Sequence, residues 1–192
     1  VVVRTGTLYE DIDFSDADFV YMGAGTESAQ LVALEDLRRY TDAVGAALAR
    51  GVVVLATGNA MELFGSSITS PDGTVHAGLG LFPFRTTVSD TARIQGDCLA
   101  VGAATGQTAV GFVNKASQTT EVAHPLFRME HGPGNAADTA EDGAWEGSFY
   151  GTHLIGPLLM KNPHVNAYFT ELLCRRAGLP YQAQDCPHEQ RA

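Results

Sequence analysis

A chain of 192 residues with 45% hydrophobic content can close one core of ordinary size, and its net charge of −10 offers no electrostatic footprint for nucleic acid or an anionic lipid surface. No run approaches the roughly 18 uncharged apolar residues of a membrane span, and no basic-then-apolar leader opens the sequence. Cys98, Cys174 and Cys186 are an odd number at irregular spacings, so reduced thiols and a cytoplasmic address are expected rather than a disulfide framework.

In chain order, Val1 to Val3 reads as a short β-branched strand, followed by a polar, acidic stretch. The run DFVYMG, from Asp18 to Gly23, suits a fully buried parallel strand. Small residues follow, and Thr26 or Ser28 can cap the next helix. Leu31, Leu34, Leu37, Val44, Ala47 and Leu48 recur at helical spacing and predict a helix over 28–49, with the basic pair Arg38-Arg39 on its solvated face. Gly51 ends it, and Val52 to Ala56 is a second continuous apolar strand. Strand, helix, strand in this order is a βαβ unit, hence a parallel sheet covered by helices. Over 74–124 the residues alternate between turn-formers, as antiparallel or edge strands do. A Gly-, Ala- and acid-rich loop, HGPGNAADTAEDGAWEG, leads to a last core strand at Ser148 to Gly151. Asn166 to Arg176 makes a helix, with Arg175-Arg176 solvated. Residues 1–180 are expected to form the domain and 181–192 a frayed tail.

The stretch VLATGNAMELFG, ending at Gly65, carries the most chemistry. A buried strand running into a tight turn and then a helix is the shape of a nucleophile elbow, where one side chain is exposed above the sheet edge. Small neighbours are needed because the backbone is crowded there. Free N–H groups at the start of the following helix can hold an oxyanion or another anion. All the parts are present except a nucleophile.

The stretch resembles the elbow of the class I glutamine amidotransferases, in the branch that includes the cobyric acid synthase glutaminase domain and the glutaminase subunit of lipid II isoglutaminyl synthase. That branch has Cys-Gly-Gly-Tyr-Gln-Leu-Leu-Gly after the strand. Counting back from Gly65, Leu63 and Glu62 fall on the Leu and Gln, Met61 on the aromatic and Gly58 on the cysteine. DFVYMGAGTESAQ is similar to the family's Gly-Gly-Gly segment, with Gly23, Ala24, Gly25 and Gln30 in register. AVGFVNKASQT resembles its Gly-Phe-Glu-Asn-His-x-Gly-Arg-Thr stretch, keeping Gly111, Phe112, Asn114 and Thr119. GTHLIGPLLMKNPHVNAYF resembles its Gly-Thr-Tyr-x-His-Gly-Pro segment, keeping Gly151, Thr152, Gly156, Pro157, Leu158, Asn162 and Pro163. The resemblance implies a flavodoxin-like α/β fold: a mostly parallel sheet with helices on both faces and an antiparallel extension. It also implies that the usual first strand and helix lie before Val1.

The departures from the family pattern decide the expected function. Relatives attack the glutamine amide with the cysteine and activate it with the histidine. Those positions are Gly58 and Ile155 here, and the arginine expected to hold glutamine falls on Gln118. Glycine has no nucleophilic atom and isoleucine no proton to give. The resemblance therefore implies a glutaminase-dead subunit beside an ATP-dependent, Mur-ligase-like amide ligase of cell-wall precursor amidation. Gly23, Gly25, Gly58, Asn59, Ala60 and Gln118 are the candidate ligand-binding residues, with Asn59 and the N–H groups of Ala60 and Met61 suited to a small carboxylate or amide. No metal or cofactor is expected.

Two other readings remain open. One is a working amidotransferase or hydrolase with a relocated nucleophile, Thr57 with His153 as base, although strand alternation turns both away from the site. The other is a free-standing binder of a small carboxylate. Cys98 reads as a small buried hydrophobe, and His131 and Glu141-Asp142 as solvated loop residues. Cys174, Cys186 and His188 fit no closed zinc pattern.

Overall fold

The computed structural model describes residues 2–182. After an irregular N-terminal stretch come β1 (Phe19–Met22), α1 (Glu27–Leu37), α2 (Thr41–Ala49) and β2 (Val53–Thr57). A 3-10 turn, Gly58–Phe64, leads to β3 (Ser67–Thr69), β4 (Val75–Ala77) and β5 (Arg85–Val88). The long hairpin β6 (Ile94–Gly102) and β7 (Thr108–Lys115) follows, then β8 (Ser117–Thr120) and β9 (Phe127–His131). β10 (Glu141–Asp142), β11 (Ala144–Glu146) and β12 (Phe149–Thr152) precede α3 (Leu158–Lys161) and α4 (Pro163–Arg176).

The parallel core is β1, β2 and β12, with β2 in the centre and β11 added antiparallel at the far edge. β2 is buried along its whole length because both of its faces are covered. Val52, Val54 and Ala56 point to one side, among Leu34, Leu37, Val44 and Ala47 of α1 and α2. Val53 and Leu55 point to the other, among Val165 and Phe169 of α4. Helices on both faces of a parallel sheet are the flavodoxin-like arrangement that the sequence predicts. The antiparallel extension is also present, as an antiparallel sheet ordered β10-β9-β6-β7 and a mixed sheet ordered β4-β3-β5-β8, in which only β3 and β5 pair in parallel. An isolated antiparallel bridge, Phe112 to Ile155, ties β7 to the chain leaving β12.

Several local expectations are corrected. Val2 and Val3 form no strand and are each 84% exposed; Val1 lies outside the described residues. β1 is parallel but sits at the sheet edge, so it is not fully buried and Tyr21 is 57% exposed. The helix over 28–49 is two helices, because the chain tightens into a 3-10 turn at Arg38–Tyr40. There the Thr41 hydroxyl donates to the Arg38 carbonyl at 2.9 Å, and the Tyr40 hydroxyl donates to the Glu10 carbonyl at 2.7 Å. Thr26, not Ser28, caps α1, accepting from the Ala29 N–H. The loop between β9 and β12 contains β10 and β11.

Phe149 joins the sheet to the turn after β2. Its ring is wholly buried, with centroids 4.8 Å from Phe64 and 4.5 Å from Phe82. Phe149→Ala is expected to cost about 3–5 kcal/mol, through lost apolar burial and the cavity left behind. Urea unfolding of the purified variant checks this; a loss below about 1 kcal/mol would mean that the turn does not depend on the ring.

Candidate functional site

The chain leaves β2 through Gly58, whose φ of +62° is the left-handed conformation that glycine adopts without a Cβ penalty. Gly58 is buried and opens the 3-10 turn Gly58–Phe64. A strand ending in a positive-φ residue and a tight helical turn is the elbow shape read from the sequence, although the turn is 3-10 where a longer helix was expected. A Cβ placed on Gly58 would lie 3.3 Å from Ile155 Cγ2, so the two positions face each other across the elbow.

The turn is stapled to the segment after β1. The Gly25 N–H donates to Asn59 Oδ1 at 2.9 Å, and Gln30 Nε2 donates to the Asn59 carbonyl at 2.7 Å. Thr26 caps α1 close behind, so the small residues Gly23, Ala24 and Gly25 cross over the elbow. A cavity of about 20 Å³ lies beside it, walled by Ala24, Gly25, Asn59, Glu62, Lys115 and Ser117 among others. That volume holds about one water molecule. A larger cleft of about 530 Å³ adjoins it along α1 and the segment from Val88 to Arg93. Arg93 stands between the two, donating to Glu27 at 2.7 Å and to Asn114 Oδ1.

Below the turn is a buried polar network. Glu62, 1% exposed, accepts from Gln30 Nε2 at 2.6 Å and from the Ser117 hydroxyl, and His153 Nε2 is 3.4 Å away. Asp142, 0% exposed, accepts from the Thr152 hydroxyl at 2.6 Å and from the His153 N–H at 3.1 Å. His153 Nδ1 lies 2.9 Å from Asp142 Oδ1. Lys115 Nζ donates to the Asn135 carbonyl at 2.7 Å. Burial favours the neutral acid at Asp142, yet the charge of His153 and hydrogen bonds from His153 and Thr152 prevail, holding its pKa below the ordinary value. Burial and the Lys115 charge oppose protonation of His153, and Asp142 outweighs them, so its pKa is raised. Burial lowers the pKa of Lys115 against the attraction of Asp142 and Glu62.

This network corrects the reading of Glu141-Asp142 as a solvated loop: Asp142 is wholly buried because β10 pairs with β9 and turns its side chain toward His153. Thr57 and His153 do not form a pair. The Thr57 hydroxyl is 3.0 Å from the Tyr21 hydroxyl, whereas His153 is occupied with Asp142.

Of the candidate ligand residues, Gly25, Gly58 and Asn59 meet at the elbow, and the Ala60 side chain is packed in the core. Gly23 lies one residue before Ala24, on the exposed approach. Gln118 is exposed on β8, where its Oε1 accepts from the Ala137 N–H at 3.5 Å, and it does not line the small cavity. Cys98 is buried, its thiol pushed up to about 11 by burial and by Asp142, and it behaves as a hydrophobe. His131 is exposed at the end of β9. Among the described residues no group of three or more His, Cys, Asp or Glu side chains is placed to hold a metal; Cys186 and His188 lie outside them. No helix among the described residues is long and apolar enough to cross a membrane.

Residues 2–163 match the model of the CobB/CobQ-like glutamine amidotransferase domain. The chain belongs to that family. Within it, the chain is 30% identical over 180 residues to the lipid II isoglutaminyl synthase (glutamine-hydrolyzing) subunit GatD of Staphylococcus aureus (strain N315), covering 94% of this chain and 73% of the relative. A solved glutamine amidotransferase shares the fold at a TM-score of 0.59, with 16% identity over 81% of this chain and 79% of that one. Against this CobB/CobQ-like background, the buried network under the elbow is what sequence reading missed. Its one signal was an acid, Glu62, inside the apolar run AMELF.

Proposed function

We propose that this CobB/CobQ-like chain has no glutaminase activity. In this reading it serves as the partner subunit of an ATP-dependent, Mur-ligase-like amide ligase in cell-wall precursor amidation, with free ammonia as the nitrogen source. The observation that supports this is the pairing of Gly58 with Ile155 across an otherwise well-formed elbow. The turn has the shape that presents a nucleophile, and its facing position bears only hydrocarbon. Glutamine-amide hydrolysis needs an attacking atom and a proton donor for the leaving ammonia, and neither stands at these positions. Likeness to a glutamine-hydrolyzing subunit supports the partner and the pathway, while Gly58, Ile155 and Gln118 support the loss of the reaction. The protein works in the cytoplasm and binds no nucleic acid.

The test is ammonia release from glutamine by the purified full chain, alone and with an added Mur-ligase-like subunit. No release above a heat-denatured control is the expected result in both cases. Turnover that saturates with glutamine would overturn the reading and would point to a nucleophile elsewhere.

A further inference from the structure

Gly58 is buried, while Ala24, in the segment crossing over it, is exposed. A Cβ at position 58 would come 2.5 Å from the Ala24 Cβ and 3.4 Å from the Ala24 Cα, besides 3.3 Å from Ile155 Cγ2. Non-bonded carbons prefer about 3.5–4.0 Å, so the first contact is far inside the repulsive wall. Both neighbours are fixed by backbone. Residue 25 is tied to Asn59 by its N–H, and Gln30 grips the Asn59 carbonyl and the Glu62 carboxyl from the same side. Ile155 is held by a reciprocal pair with Phe112, its N–H donating at 2.8 Å and its carbonyl accepting at 3.1 Å.

We infer that Ala24 is the closing residue of the elbow. Its methyl group occupies the place of any side chain at position 58, so that Ala24, Gly58 and Ile155 interlock as one apolar plug. The site is therefore filled as well as deprived of its nucleophile, and position 58 accepts a side chain only when Ala24 is trimmed. The inference uses the proposed loss of activity only to say what the plug replaces; the steric claim concerns the packing itself.

A thermal double-mutant cycle tests it without any activity measurement. Gly58→Ala is made in the natural background and in an Ala24→Gly background, and the melting temperatures of all four proteins are compared. Strain from a Cβ at positive φ is common to both backgrounds and cancels, leaving the contact with the Ala24 methyl. The drop caused by Gly58→Ala is expected to be larger in the natural background by about 3–10 °C. Folding of the double variant where Gly58→Ala alone does not fold supports the inference equally. Equal drops, a larger drop in the Ala24→Gly background, or failure to fold in both backgrounds would overturn it. Ammonia release by the unaltered chain would instead overturn the functional reading and leave the plug standing, so the two fail separately.

Discussion

Asp142→Ala is expected to destabilise the protein by about 3–5 kcal/mol, the cost of breaking a buried ion pair by removing one partner. The carboxylate is wholly buried and accepts hydrogen bonds from the Thr152 hydroxyl and the His153 N–H, with His153 Nδ1 2.9 Å from its other oxygen. Alanine removes the carboxylate 2.9 Å from the buried imidazole and leaves Glu62, 3.4 Å from His153 Nε2, to face both the imidazole and the Lys115 ammonium. It also orphans the Thr152 hydroxyl donor. Asp142→Asn keeps an acceptor for Thr152 and removes the charge, so a smaller loss is expected from it. Urea unfolding near pH 5 measures both variants. A loss below about 1 kcal/mol for Asp142→Ala would show that solvent or a rearranged Glu62 replaces the carboxylate, and that the network is not held in the arrangement described.

The parts of the fold legible in the sequence are those with strong local pattern. Val52 to Ala56 is apolar throughout because both faces of β2 are covered, and a short β-branched run of that kind fits a sheet interior better than any surface position. The turn after it was legible because small residues at a strand end have a geometric purpose, and Gly58 does take a positive φ. The helix break at Arg38–Tyr40 was not legible. It depends on Thr41 bonding back to Arg38 and on Tyr40 reaching Glu10 and Ile12, a contact set by tertiary packing. Asp142 failed for the same reason: in an acid-rich, Gly-rich stretch nothing local separates a buried carboxylate from a solvated one. Ala24 was noted only as one small residue among glycines. Its closeness to Gly58 arises from the parallel pairing of β1 with β2, which brings the two strand ends side by side.

Stability is expected to be greatest between about pH 4 and 6.5, and to fall on both sides through the same buried network. The folded-state pKa of Asp142 lies below its ordinary 3.8. Its contribution is therefore complete above 3.8 and is lost as the pH falls through the lower, folded value. His153 has the opposite sense, raised above its ordinary 6.5. Its contribution is complete below 6.5 and is lost as the pH rises through the folded value, when the imidazolium beside Asp142 gives up its proton. Lys115, lowered from 10.5 chiefly by burial, acts in the opposite sense, because losing its proton as the pH rises relieves the cost of a buried charge. The groups that face His153 are Asp142, Glu62, Lys115 and Thr119, so the alkaline arm belongs to this cluster. Urea midpoints at pH 3, 5 and 8 for the natural chain and for His153→Gln isolate the effect. The natural chain should lose stability from pH 5 to 8, and the variant, with no imidazole to discharge, should lose less. Parallel pH profiles for the two proteins would show that His153 is neutral across the range and that Asp142 is balanced by Lys115 alone.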